Sequence, residues 1–205
     1  MLARTPFIRP CSPIISKVPP IGPGWLHEVK FDGYRCQIHK DGKYVALFSK
    51  NGNEFTSRYP ALANAVAKMP TKAVILDAEL TACAADGAPD FGALLRKRTD
   101  SLCMWVFDIL SHNGKDLRPL SYVERRTRLE TLILRVNNPI IRYSEPFTDP
   151  IRLLSACQAQ SLEGIVSKRI DKPYRSGPSK DWLKTKCPDW RRNNAWRHEF
   201  FSRQK

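Results

Sequence analysis

Strand patterns joined by tight turns constrain the fold of this chain more than any other feature. Polar and apolar residues alternate in three successive stretches, 25–35, 34–39 and 43–48. Successive side chains of a strand point to opposite faces, so this pattern predicts strands with one polar face. Asp41 and Gly42 lie between the second and third stretches, and this dipeptide favours the turn of a β-hairpin. The first quarter of the chain is therefore predicted to form an antiparallel sheet.

Further strands and helices follow in no regular alternation. Strands are predicted over 73–80, 102–110, 140–143, 164–169 and 182–187, and helices over 60–69, 121–132, a short basic stretch after Asp90 and the stretch that begins at Asp149-Pro150. Ser121 and Glu124 form the pattern of a helix capping box. This order predicts an α+β domain rather than a doubly wound sheet. No P-loop or dinucleotide glycine motif is present in the sequence.

Charge indicates the kind of partner. The 205 residues include 34 Lys plus Arg against 20 Asp plus Glu, a formal net charge of +14, which favours a polyanion such as nucleic acid, nucleotide or anionic lipid. The six cysteines form no C-x-x-C pair, so reduced thiols are expected rather than a zinc site. Because no stretch reaches the ~20 apolar residues of a membrane span and the start lacks an apolar signal core, we expect an intracellular, soluble protein.

One lysine lies in a pattern that suits chemistry. Glu28, Lys30 and Asp32 alternate along a predicted strand and share a face. A lysine becomes a nucleophile once it is deprotonated, and burial or a nearby cation favours that state. Gly33 lets the backbone bend towards a ligand, and Arg35 offers a fork of donors to phosphate or ribose oxygens. A solvated charged face is the alternative interpretation of this motif alone.

Four more motifs follow in order. They are Leu76-Asp77-Ala78-Glu79, Phe107-Asp108, Glu163-Gly164-Ile165-Val166-Ser167-Lys168 and Trp182-Leu183-Lys184-Thr185-Lys186. Each has a structural alternative: a surface acid pair, a core phenylalanine, a turn and a basic edge strand. Their order along one chain resembles the motif series of covalent nucleotidyltransferases, specifically the ATP-dependent DNA ligases. Tyr174-Arg175-Ser176-Gly177 before Asp181-Trp182-Leu183-Lys184 is similar to the bacterial ligase D group, and the resemblance covers about 6–190.

The resemblance implies a fold and a set of roles. The implied fold is an ATP-grasp-like nucleotidyltransferase domain with antiparallel sheets flanked by helices. The implied cofactors are ATP and Mg²⁺ (or Mn²⁺), and Lys30 is the implied nucleophile that forms a lysyl-AMP intermediate. The other implied roles are adenine recognition for Glu28, nucleotide binding for Asp32 and Lys50, ribose and phosphate binding for Arg35, ribose or metal binding for Glu79, stacking on adenine for Phe107, metal binding for Glu163 and neutralisation of the α-phosphate for Lys184 and Lys186.

Two departures from the family pattern concern Lys50 and the C-terminus. Where the family usually shows an arginine before an Asn-Gly turn, this chain has Lys50, a point charge in place of a bidentate fork. After Lys186 the sequence holds only residues 187–205. Five strands of ~5 residues with their turns need more chain than that, so no OB-fold domain is expected within it.

These observations predict a domain division and partners. We expect a proline-rich N-terminal arm at 1–24, an adenylation domain at 25–190 and a basic aromatic tail at 191–205. The expected substrate is nicked or broken double-stranded DNA, in repair or end joining, with an OB-fold or end-joining partner in trans, no membrane, a monomeric state and a place in the bacterial cytosol or nucleoid. The alternatives are an RNA ligase or capping-type nucleotidyltransferase, and a weakly catalytic DNA-end binding module. The tail also suits a terminal amphipathic helix packed on the domain.

Overall fold

The computed structural model describes residues 6–83 and 101–193. The strands of this part are β1 (Cys11–Ile15), β2 (Trp25–Lys30), β3 (Tyr34–Asp41), β4 (Tyr44–Ser49), β5 (Ala73–Ala82), β6 (Leu102–His112), β7 (Lys115–Asp116), β8 (Ile141–Tyr143), β9 (Gly164–Arg169) and β10 (Gly177–Lys186). The helices are α1 (Pro60–Ala67), α2 (Tyr122–Ile133), α3 (Pro150–Ala159) and α4 (Pro188–Asn193), with a 3₁₀ turn at Thr56–Arg58.

The strands form two sheets. The small sheet has the order β1-β10-β9-β2, and the large sheet has the order β4-β3-β5-β6-β7 with β8 also paired to β6. All pairs are antiparallel except β1 with β10 and β6 with β8. The structure therefore confirms mainly antiparallel sheets within an α+β arrangement.

Three hydrophobic clusters pack the sheets and helices against one another. The main hydrophobic cluster joins one face of the large sheet to α1 and α2, through residues such as Ile38, Leu62, Leu76 and Leu129. A second cluster places Leu153 and Cys157 of α3 against Ile165 on the small sheet. A third, which includes Phe107 and Trp182, lies between the two sheets. The sheets thus face each other, with helices on their outer sides.

Local signals account for the helix starts. Ser121 Oγ accepts from Glu124 N (3.4 Å), and the Glu124 carboxylate accepts from Ser121 N (2.9 Å), so the predicted capping box is confirmed. Asp149 accepts from the N–H groups of Ile151 and Arg152 at 3.0 Å and caps α3. The helix predicted after Asp90 and the tail beyond 193 lie outside the described residues. Within them, no helix is long and apolar enough to cross a membrane.

The proline-rich stretch contributes a strand. Cys11–Ile15 joins the edge of the small sheet as β1, and its pairing with β10 shifts register between Pro13 and Ile14. An edge position tolerates proline because only one side of the strand needs donors. All six cysteines lie within the described residues, where they are buried and form no disulfide.

Candidate active site

A cleft opens between the facing sheets. It has about 460 Å³ of empty space, the part open to solvent included. Its walls combine charged and aromatic groups: Pro13, Glu28, Val29, Lys30, Phe31, Arg35, Glu79, Phe107, Val166, Lys168 and Trp182. Five residues predicted from the sequence, Glu28, Lys30, Arg35, Glu79 and Phe107, therefore meet in one cleft although up to 79 positions of the chain separate them.

Lys30 lies at the end of β2, in a row that crosses three strands. Gly164 of β9 is its register partner, and Lys186 of β10 is the partner of Gly164 on the other side. The adjacent Glu163 carboxylate accepts from Lys30 Nζ and, at 2.8 Å, from Lys186 Nζ. One carboxylate therefore holds two lysines side by side, with a glycine between them that carries no side chain.

Electrostatics at this end of the cleft follow from three lysines. Burial raises the pKa of Glu163, but the charges of Lys30 and Lys186 outweigh it and hold that pKa below its usual value. Lys184 lies two residues before Lys186 on the same strand face. Burial lowers the pKa of Lys184, and the charges of Lys30 and Lys186 lower it further. A phosphate that enters here meets a concentration of positive charge.

Lys50 and Asp32 lie at the periphery of the cleft. Lys50 is exposed in the turn after β4, and its charge also acts to lower the pKa of Lys184. Asp32 is half-buried in the turn between β2 and β3 and is not among the described residues that line the cleft. Gly33 packs this turn tightly, because a Cβ there would lie 2.1 Å from Leu80 O. The nucleotide-binding roles of Asp32 and Lys50 stay predictions.

Arg35 already has a carboxylate partner. Its Nε and one terminal nitrogen donate to the two oxygens of Asp77 (2.6 and 2.7 Å), and the same terminal nitrogen donates to Cys11 O (3.1 Å). Burial opposes the charge of Arg35, but Asp77 raises its pKa overall. The fork that the sequence predicted for phosphate or ribose is therefore bound to Asp77, so any contact of Arg35 with nucleotide uses its remaining N–H groups or its face.

Glu79 is the register partner of Arg35 and lines the cleft. Burial raises the pKa of Glu79 to about 7, although the charges of Lys30 and Arg35 act in the opposite direction. A carboxyl group poised near neutral pH, beside cations and in a cleft, marks a candidate functional site.

The raised pKa of Glu79 predicts a pH-dependent stability. The folded-state pKa lies above the usual 4.5, so ionisation destabilises the native state as pH rises from about 4.5 through about 7. We expect Glu79→Gln to melt like the wild type at pH 4.5 and to be more stable at pH 8, by about 1 to 3 kcal/mol. Melting curves of both proteins and of Glu145→Gln, an exposed control, measure this. An equal difference at both pH values would contradict it.

Phe107 forms the apolar side of the cleft. Its ring is 8% exposed and meets Trp182 edge to face at 6.3 Å. The guanidinium of Arg35 and the ammonium of Lys168 each lie 4.6 Å from the ring centroid. The ring lines the cleft and is also part of the core between the sheets, and its stacking on adenine stays a prediction.

Substitution at Phe107 separates these two roles. Phe107→Leu keeps most of the apolar volume and loses the ring, so its cost in folding should stay below ~1.5 kcal/mol, while a lost stacking contact typically costs ~1 to 3 kcal/mol of ligand binding. We expect ATP affinity to fall about tenfold in Phe107→Leu and to be retained in Phe107→Tyr. Calorimetric titration with ATP and melting curves measure both effects. Wild-type affinity in the leucine variant would leave Phe107 as a core residue only.

Glu28 lies at the centre of a buried network that the sequence alone does not reveal. Its carboxylate accepts from Tyr122 Oη, from Lys168 Nζ (2.7 Å) and from Ser144 Oγ (2.9 Å). Arg126 adds an ion pair at 3.6 Å. The carboxylate is thus held rigidly at the cleft wall, which excludes the solvated charged face as an interpretation.

Lys168 ends the motif that begins at Glu163, but sequence reasoning assigned it no role. It is 1% exposed, and its ammonium lies 4.2 Å from the Trp182 ring centroid. Burial lowers the pKa of Lys168, while Glu28 acts to raise it. One signal could have found it: Gly164, Val166 and Lys168 alternate along β9 and so share the face that Lys30 meets.

The carboxylates fit the metal that the family resemblance implies. Glu79 and Glu163 are close enough for the charge of Glu163 to raise the pKa of Glu79. Mg²⁺ is usually bound by one or two carboxylates together with substrate phosphates, and Glu79 and Glu163 would supply the carboxylates of such a set. The described residues contain no cluster of three or more His, Cys, Asp or Glu that could hold a metal by itself.

Fold and cleft together place the chain in the class of nucleotidyltransferases. The sequence model of the ATP-dependent DNA ligase domain matches residues 6–186. The chain belongs to this family. Multifunctional non-homologous end joining protein LigD of Pseudomonas aeruginosa is 35% identical over 192 residues, which are 90% of this chain and 23% of that protein. A probable DNA ligase of Dictyoglomus turgidum is 34% identical over 180 residues, 78% of this chain and 30% of that protein.

Solved structures agree with this assignment. A mycobacterial DNA ligase D complexed with ATP and MES superposes with a TM-score of 0.76 at 29% identity, over 86% of this chain and 59% of that one. The ligase domain of Mycobacterium tuberculosis LigD gives a TM-score of 0.75 at the same identity. The chain spans less than a third of the length of the two curated relatives described above.

Proposed function

We propose that this chain is the adenylation domain of an ATP-dependent DNA ligase that acts in DNA repair by end joining. The observation that carries the proposal is the row of Lys30, Gly164 and Lys186 with its shared carboxylate Glu163. Two further findings support this choice of reaction: the chain belongs to the ATP-dependent DNA ligase family, and its LigD relatives are named for end joining. The ATP-grasp-like description of the fold belongs to this proposal.

In the first step, Lys30 Nζ attacks the α-phosphorus of ATP. A P–N bond forms, the P–O bond to pyrophosphate breaks, and the attacking nitrogen releases its proton to solvent. Glu163 orients the lysine, and Lys184 and Lys186 meet the charge that develops on the α-phosphate oxygens. Lys186 keeps Glu163 paired once Lys30 becomes neutral, so no carboxylate is left alone in the buried site.

In the later steps, a 5′-phosphate oxygen of a DNA break attacks the phosphorus of lysyl-AMP, and the P–N bond breaks with return of a proton to Lys30. A 3′-hydroxyl then attacks the activated 5′-phosphate, and AMP leaves. Glu79 and Glu163 would hold Mg²⁺ or Mn²⁺, which supplies charge neutralisation at the phosphates when bound. Phe107 and Glu28 contribute the adenine side of the site.

The domain division and the partners complete the proposal. Residues 25–190 form the adenylation domain, preceded by the arm at 1–24 and followed by the basic tail at 191–205. The substrate is nicked or broken double-stranded DNA. The protein acts as a monomer in the bacterial cytosol or nucleoid, with the assistance of an OB-fold or end-joining partner. The net charge of +14 supports a polyanionic substrate.

Intact-mass spectrometry tests the proposal. After incubation with ATP and Mg²⁺, the chain should carry one covalent AMP, and GTP should give little adduct. Nicked duplex DNA should be sealed, and nicks that already carry 5′-AMP should be sealed relatively better by the 205-residue chain alone, because that step needs no alignment of pyrophosphate. An OB-fold segment added in trans should help the first step most. DNA binding without any adduct would instead favour the end-binding module, and a GTP adduct the capping-type enzyme.

A further inference from the structure

A second cavity lies on the other side of the large sheet. It has about 670 Å³ of empty space, the part open to solvent included. It is bounded by the C-terminal half of α2, by the turn before β5 and by the turn between β6 and β7. We name it the arginine groove, and its lining residues are Pro70, His112, Asn113, Thr127, Arg128, Thr131, Leu132 and Arg135.

The arginine groove is separate from the cleft between the sheets. The two cavities share no lining residue. Ala73, where β5 begins beside the groove, is six residues from Glu79 in the cleft, which is about 20 Å at ~3.3 Å per residue. The helix α2 packs on the outer face of the large sheet, so the sheet itself lies between the two cavities.

The lining of the arginine groove offers donors and positive charge but no carboxylate. Arg128 lies on α2 and Arg135 lies two residues beyond its end, and both are exposed and line the groove. Neither of them forms an ion pair with a carboxylate in the described ranges 6–83 and 101–193. Among the described residues, no carboxylate therefore occupies the fork of either guanidinium group.

The neighbouring acid is engaged elsewhere. Glu124 lies one helical turn before Arg128, but its carboxylate accepts from Ser121 N (2.9 Å) and Ser121 Oγ in the capping box. This arrangement satisfies the first turn of α2. The charge of Arg128 helps to lower the pKa of Glu124 but forms no ion pair with it among the described residues. The same charge acts on His112, whose pKa is lowered first by burial and then by Arg128.

The floor of the arginine groove is held in place by hydrogen bonds. Asn113 has a left-handed backbone (φ 47°), and its side-chain oxygen accepts from Ala73 N (3.1 Å) and Thr71 Oγ1 (3.2 Å). His112 Nε2 lies 3.0 Å from the same Thr71 hydroxyl. The imidazole and the amide are therefore preorganised beside the two arginines, which lowers the entropy cost of binding.

We propose that the arginine groove binds phosphate groups, at a site distinct from the adenylation cleft. Guanidinium forks match phosphate oxygens in pairs, and the absence of a lining carboxylate removes the main competitor. The phosphate comes from one of two sources, a free polyphosphate such as pyrophosphate or the backbone of DNA. Because the groove is open to solvent, both sources reach it.

Titration of His112 by NMR, with inorganic pyrophosphate as the probe, tests the site in the full 205-residue chain. A bound anion offsets the charge of Arg128, so we expect the pKa of His112 to rise when pyrophosphate is added. Arg128→Gln and Arg135→Gln should each raise the pyrophosphate concentration needed for this pKa shift about tenfold or more, because each loses a charge-assisted hydrogen bond. Arg152→Gln removes the same charge from the exposed face of α3 and should leave the response unchanged.

DNA binding distinguishes the two sources. If the backbone of a duplex occupies the arginine groove, the double variant Arg128→Gln/Arg135→Gln should reduce the slope of log affinity against log salt by about 2. If the His112 response to pyrophosphate is lost while the slope stays at the wild-type value, the ligand is a free polyphosphate. Absence of both effects overturns the site. Lys30 adduct formation does not depend on these arginines, so failure of the proposed ligase function and failure of this site are separate results.

Discussion

Lys30→Ala and Lys30→Arg should both form no AMP adduct, while the wild type forms one. Alanine removes the nucleophile, and arginine keeps the charge but stays protonated and offers no lone pair. The fold should survive, because Lys30 is half-buried at the end of β2 and Glu163 keeps its 2.8 Å contact with Lys186. Intact-mass spectrometry after incubation with ATP measures the adduct, and Lys17→Ala, at an exposed lysine, is the matched control.

Lys184 is the alternative candidate for the nucleophile, and the variants distinguish it from Lys30. Its lowered pKa would by itself favour Lys184 as the nucleophile, because a neutral amine is the reactive form. Its register position next to Val166, rather than beside Glu163, favours a role as a cation that meets phosphate. We therefore expect Lys184→Arg to keep a measurable adduct and Lys184→Ala to lose most of it. An adduct on Lys30→Arg together with none on Lys184→Arg would assign the chemistry to Lys184.

Much of the architecture follows from local sequence patterns. The alternation over 34–39 and 43–48 predicted the β3–β4 hairpin, whose strands the structure places at Tyr34–Asp41 and Tyr44–Ser49. These signals are reliable because they act over a few residues, through side-chain period and turn geometry. The strand β1 was not predicted, since its prolines are typical of a connecting arm and its pairing with β10 is made 166 residues away.

The cleft was predictable in its residues but not in its contacts. The order of the motifs identified Lys30, Glu79 and Phe107 as candidate site residues, and all three line one cleft in the structure. The partners Asp77 for Arg35 and Lys168 for Glu28 depend on tertiary pairing, over 42 and 140 positions of the chain. A local pattern carries no information on which buried charge meets which, because strand register and sheet packing decide it.

Substitution of Gly164 is the second change from which we expect a large effect. Gly164 lies between Lys30 and Lys186, where β9 and β10 pack closely. Its backbone has a φ of +147°, in a region that favours glycine. A Cβ at this position would lie 2.1 Å from Thr185 O and 2.8 Å from Lys186 Cα. A side chain there must therefore push β10 away from β9, and Lys186 moves with it.

Gly164→Ala should both destabilise the chain and stop adenylation. Backbone strain costs about 1 to 3 kcal/mol and overpacking typically another 1 to 3 kcal/mol, and a shift of ~1 Å between Lys30 and Lys186 is enough to lower the rate about a hundredfold. The control is Gly114→Ala, which also has a positive φ (83°) but open space around the new methyl group, so it should cost about 1 kcal/mol and leave the adduct unchanged. Melting curves come first, and adduct formation is then compared at a temperature at which all three proteins are folded. Wild-type adduct formation by folded Gly164→Ala would show that the close contact between β9 and β10 at Gly164 is not required for the reaction of Lys30.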